Sequence, residues 1–175
     1  MICGTAHRKS IVFYISFALA FLLCLSPAYA AGDIEEIPSC KYCGMDRQKF
    51  AHSRVLVTYD DGTKLGACSL HCAAVDMSVH IDKFPVSIEV GDMNTKELIN
   101  AETAAWVIGG DKMGVMTKRA KWAFTSKTDA EKFIAAHGGK LATLDEAFKA
   151  AFEDMYDDLQ MIRKKRKAKR EKMKK

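Results

Sequence analysis

Cys40, Cys43 and Met45 bring two thiols and a thioether within six residues, and Gly44 between the last two lets the chain turn back on itself. A second pair, Cys68 and Cys72, follows downstream with His71 between them. Thiolate and thioether sulfur form a soft donor set that suits Cu(I) or Zn²⁺ and excludes Mg²⁺ and Ca²⁺, which take oxygen. Four cysteines in two narrow pairs match a closed tetrahedral Zn²⁺ site as well as a copper site. If the thiols are oxidised, each narrow pair can instead close as a disulfide.

Further methionines pull the reading towards Cu(I). Met113 and Met116 sit in a loop flanked by Gly110 and Gly114, with no amphipathic period that would bury them. Met77 and Met155 fall on helical stripes and read as packing residues, the usual role of methionine. His52 and His80 read as surface or core residues. His71, lying between two candidate ligands, is the histidine that joins the candidate set. The metal candidates are therefore Cys40, Cys43, Met45, Cys68, His71, Cys72, Met113 and Met116.

The elements that must position these groups begin after an export signal. Arg8 and Lys9 precede an apolar run over residues 11–25, Pro27 breaks it, and Ala28-Tyr29-Ala30 is a small-x-small cleavage site. This is the pattern of a signal peptide spanning residues 1–30, cleaved near Ala30, with a periplasmic product. Retention as a membrane anchor is the alternative. Cys3 and Cys24 leave with the signal, so the exported chain keeps four cysteines. It holds 25 basic and 22 acidic residues, but ten of the bases lie within residues 163–175 beside one acid, Glu171. The body over residues 31–162 carries 15 bases against 21 acids. An acidic, exported body argues against nucleic acid as a partner. The basic tail suits an acidic protein or a weak contact with anionic membrane.

Residues 31–39 read as a short flexible lead-in. After the cysteine turn, residues 53–59 and 63–67 read as strands joined at Asp60-Asp61-Gly62. Ser69 is placed to cap a helix from Leu70 to about Val79, and residues 85–90 form a third strand. The second half repeats the order, with strands at 104–108 and 121–125 and a helix opened by a Thr128-x-x-Glu131 capping box. A strand at 140–143 closes it. Thr143-x-x-Glu146 opens a last helix whose apolar stripe is Leu144, Phe148, Ala151, Met155, Leu159 and Ile162, followed by a frayed, solvated basic end. The expected fold is α+β: two β-β-α-β lobes and a C-terminal helix. The boundaries are 31–143 for the metal-binding domain, split into a Cys-rich lobe (38–92) and a Met-loop lobe (93–143), then 144–175 for the helix and tail. The knuckle, hairpin and helix start follow a treble-clef layout, in which the positive helix end favours thiolates.

Cys40-x-x-Cys43-Gly44-Met45 near the start of the exported chain resembles the signature of the NosL-like copper chaperones, accessory proteins of nitrous oxide reductase. Ala105-Trp106, Gly114-Val115-Met116, Ala123-Phe124, the segment 129–133 and Gly138-Gly139 extend the resemblance over about Pro38 to Phe148. It implies two β-β-α-β lobes similar to the organomercurial lyase and treble-clef group. It also implies periplasmic Cu(I) binding with Cys43, Met45 and Met116 as ligands, and delivery to nitrous oxide reductase or another exported cuproprotein. The Cys68-Ser69-Leu70-His71-Cys72 segment is richer in ligands than the family pattern. The expectation is a carrier and not an enzyme. Two alternatives stand beside it. One is a structural Zn²⁺ module for protein interaction, held by the four cysteines. The other is a thiol-dependent oxidoreductase or lyase with Asp46 or Asp76 as proton donor.

Overall fold

A computed structural model describes residues 32–174, so the signal segment lies outside the described residues. Alternating β-branched residues build the first sheet. Strands β1 (Val55–Tyr59) and β2 (Lys64–Ala67) form a hairpin, β3 (Pro85–Gly91) pairs with the other edge of β1, and β4 (Leu98–Asn100) pairs with β3. Every pairing is antiparallel. Helix α2 (Leu70–Val79) crosses between β2 and β3. A one-turn helix α1 (Asp33–Glu36) precedes them.

The second sheet has β5 (Ala105–Ile108) at its centre, flanked by β6 (Lys121–Phe124) and β7 (Lys140–Ala142), with α3 (Lys127–His137) between β6 and β7. A 29-residue helix α4 (Leu144–Lys172) ends the chain. This is the mixed α+β fold the sequence implied, two small sheets and a C-terminal helix. Strand β4 is an addition, since three residues before a turn carry too little period to stand out. Among the described residues no helix is long and apolar enough to cross a membrane.

The core runs through both sheets, with Val55, Val57, Leu65, Trp106, Val107 and Phe124 buried. Asp92 joins the two halves: its Oδ1 accepts from the amides of Asn94 and Thr95, and its Oδ2 accepts from Thr125 N at 2.6 Å and Thr125 Oγ1 at 2.8 Å. Burial pushes the Asp92 carboxyl up, but these donors outweigh it and hold the group below the usual carboxylate range.

Several local expectations are corrected. From residue 32 onward the lead-in is tied to the body: Asp33 pairs with Arg47 at 2.7 Å and Arg54 at 2.9 Å, and both arginines are buried. Ser69 holds the N-cap position of α2 but its side chain makes no cap bond. Helix α3 is capped two residues early, by Ser126, which accepts from Asp129 N. The Thr143–Glu146 capping box forms as expected. Beyond Ile162 the helix does not fray; it continues, exposed, to Lys172. Lys and Arg are good helix formers, and their charge at a helix C-terminus is favourable.

Helix α4 packs through most of its apolar stripe: Ala151 is buried and Leu144, Phe148, Met155 and Ile162 are partly buried, while Leu159 is exposed. Ala147, Ala150 and Asp158, outside the stripe, are buried as well. Polar anchors supplement the small residues. Lys121 Nζ donates to Asp154 Oδ2 at 2.6 Å, Arg119 Nε donates to the same oxygen at 2.8 Å, and Lys118 N donates to Asp158 Oδ1 at 3.0 Å.

Candidate metal centre

The first two thiols are set by a turn that needs glycine. Gly44 has φ +71°, a left-handed conformation open to glycine at little cost. Its amide donates to Cys40 O at 2.9 Å, and Cys40 N donates to Met45 O at 2.9 Å, closing the knuckle. Arg47 braces the knuckle from beneath, donating to the carbonyls of Ile37 at 2.6 Å and Asp33 at 2.8 Å and to Ala67 O at 3.3 Å. The second two thiols flank the start of α2, with Cys68 just before it and Cys72 in its first turn.

A buried carboxylate ties these two pieces together. Asp76 of α2 accepts from Tyr42 Oη and Tyr59 Oη at 2.5 Å each and from Lys41 Nζ at 3.0 Å. Burial raises its pKa, but these hydrogen bonds outweigh that effect and hold it ionised. Asp76 is thus a clasp between knuckle and helix, and its ionised state does not fit the proton-donor role. Burial and the neighbouring carboxylate push both tyrosine phenols above their usual range.

The four sulfurs converge, and the ligand atoms of Cys40, Cys43, Cys68 and Cys72 all lie within 4.8 Å of one another. Cys43 Sγ is 3.4 Å from Cys68 Sγ, which is 3.8 Å from Cys72 Sγ. A tetrahedron with metal–sulfur bonds of about 2.3 Å has edges of roughly 3.8 Å, so the cluster suits one soft ion. All four are free thiols. Cys40, Cys68 and Cys72 are buried, while Cys43 is half-buried. S–H donation from Cys43, Cys68 and Cys72 pulls the Cys40 thiol far below its ordinary range. That same neighbour, with burial, pushes Cys68 and Cys72 up. The metal-free cluster therefore keeps protons that an incoming cation must displace.

Beside the cluster lies a cavity of about 480 Å³, and Cys43 is the thiol that lines it. Met45, Met113 and Met116 line it too, so the structure brings all three candidate methionines to one space. Met116 has φ +62°, a strained conformation for a side chain other than glycine. Gly114 permits the loop: a Cβ there would fall 2.6 Å from Thr117 Cγ2 and 2.9 Å from Ala120 Cα. His71 is not part of the grouped thiols. It is buried on α2 with Nδ1 3.4 Å from Asp158 Oδ2 of α4. Burial outweighs the opposing pull of Asp158 and leaves the imidazole pKa below the usual histidine range.

Among the other residues that line the cavity are His52 and Met161. The ring of His52 lies 5.6 Å from that of Trp122. Neither residue belongs to a cysteine-like motif. Met161 falls one position before Ile162 of the apolar stripe and is recognisable only once α4 is seen to extend beside the loop.

The family model described as NosL matches residues 31–152. The chain belongs to the NosL family. Among solved structures, it is similar to the copper chaperone NosL from Shewanella denitrificans, with 26% identity and a TM-score of 0.56, covering 69% of this chain and 96% of that one. No match was found among curated proteins.

Proposed function

We propose that this NosL-family protein is a periplasmic Cu(I) carrier that passes its ion to an exported cuproprotein, with nitrous oxide reductase as the acceptor. The observation that carries the reading is the position of Cys43, which is at once a corner of the four-thiol cluster and part of the wall of the methionine-lined cavity. The copper-chaperone relative of similar fold supports it. Cu(I) accepts soft sulfur donors, thioether as well as thiolate. An ion held by buried thiolates can thus acquire a thioether on the open side before it loses a thiolate. Cys43, Met45 and Met116 are the residues proposed to hold it there, with Cys40, Cys68 and Cys72 behind. The Asp76 clasp holds knuckle and helix together by hydrogen bonds, so release of the ion need not unfold the site.

A second reading, structural Zn²⁺, is favoured by one observation: three of the four thiols are buried and the spacing suits a tetrahedral sulfur site. Anaerobic loading of the reduced chain from residue 31 onward, with Cu(I) and Zn²⁺ in competition, separates the two. Cu(I) retained against Zn²⁺, transferable to a stronger chelator with the metal-free fold intact, is the expected result. Zn²⁺ retained against Cu(I), with unfolding on its removal, overturns the carrier.

A further inference from the structure

The cavity wall includes a thioether from α4 that lies beyond the residues matched by the family, Met161. Lys165, one helical turn further along the same face, also lines the cavity, and its Nζ lies 4.0 Å from Met113 Sδ. Helix α4 therefore runs beside the methionine loop, with Met161 one turn closer to the body than that contact. Met113 is 75% exposed, so its side chain is not there to fill a core. Met161 is partly buried.

We propose that Met113 and Met161 form an outer Cu(I) site at the mouth of the cavity, one step further from the thiols than Cys43. The proposal rests on the carrier reading above. Two neutral thioethers lining one cavity are a soft donor pair that attracts Cu(I) and leaves Zn²⁺ and Mg²⁺ aside. Being uncharged, they bind more weakly than thiolates, which suits a site the ion leaves again. Lys165 and Arg166 line the same mouth and place positive charge beside the arriving ion. Their repulsion keeps occupancy transient. The step is ligand exchange alone: a thioether lone pair replaces a thiolate or Met116, and copper stays Cu(I) throughout.

The test uses the reduced chain from residue 31 onward, labelled with ¹³C at the methionine methyl groups, titrated anaerobically with Cu(I). The thiols fill first; further Cu(I) then shifts the Met113 and Met161 methyl resonances together, while Met77 on α2 stays in place. Met161→Leu preserves side-chain size and should weaken this later binding by about tenfold or more, with binding at the thiols unchanged. Lys165→Gln should strengthen it. If the Met161 resonance does not move after the thiols saturate, or Met161→Leu leaves the later binding intact, the outer site is wrong. If no Cu(I) binds at the thiols either, the carrier reading itself falls, which is a different result.

Discussion

Cys43 joins two environments, and replacing it should cost more than replacing any single thioether. Cys43→Ser should abolish tight Cu(I) binding in a competition titration, by more than the roughly 10- to 100-fold that loss of an outer partner costs. An affinity equal to that of the unmodified chain would show that the ion sits elsewhere. Asp76 has a separate, testable pH signature. Its folded pKa is depressed, so its stabilising effect is present above the unfolded carboxylate value near 4 and is lost as pH falls through the folded value. Asp76→Asn removes that charge and should lower stability at neutral pH by about 2 kcal/mol, with a smaller difference from the parent under acid. Urea unfolding at pH 7 and pH 3 checks it; a gap that does not narrow under acid contradicts the clasp. At this scale the convergence of the four thiols was legible, because two narrow cysteine pairs joined by a hairpin bring their sulfurs to one point. Arg47 and Asp33 were not: nothing local marks an arginine that will be buried against a carboxylate 14 residues earlier in the chain.

Elements were legible where their signals are local. The hairpin turn at Gly62, the Thr143 capping box and the left-handed Gly138 that ends α3 all act within a few residues. Strand β4 and the path of α4 depend on what they pack against, and composition does not carry that information. The Gly114 loop is the element on which the cavity depends. Gly114→Ala should displace residues 113–117, because the added methyl would press on Thr117 Cγ2 and on the Ala120 backbone. Overpacking of this kind costs about 1–3 kcal/mol. Methyl resonances of Met113 and Met116 should move while those of Met77 do not, and slower copper release to a chelator should follow. Thr143→Ala, by contrast, should cost about 1 kcal/mol of helix stability and leave copper handling alone. A change in release rate in that variant would mean that α4 couples to the cavity through its first turn.

The molecule as a whole separates charge: an acidic body ends in an exposed helix that carries eight basic residues between Arg163 and Lys172. Lys165 and Arg166 stand both on that helix and at the cavity mouth, so an acidic acceptor drawn to the helix would arrive beside the methionines. Copper transfer to the proposed acceptor, apo nitrous oxide reductase, should therefore slow as salt rises from about 10 mM to 150 mM, where the screening length falls from about 30 Å to 8 Å. Binding of Cu(I) to the isolated chain should change little over that range. A transfer rate indifferent to salt would leave the basic helix without this role. The distribution of charge was plain in the sequence; that two of those cations reach the mouth was not, because it depends on how far α4 stays helical beside the body.

Helix α4 also bears on where this protein's folding unit ends. Asp158, six residues past the last position shared with the family, is the carboxylate that faces the buried imidazole of His71, next to Cys72. A chain trimmed at residue 152 would keep every residue of the family match and lose that neighbour, together with the Asp154 anchor of Lys121. Such a fragment would leave two buried polar side chains facing an uncovered seam. The stretch recognised by comparison is thus shorter than the stretch that buries Asp158 opposite His71 and anchors Lys121.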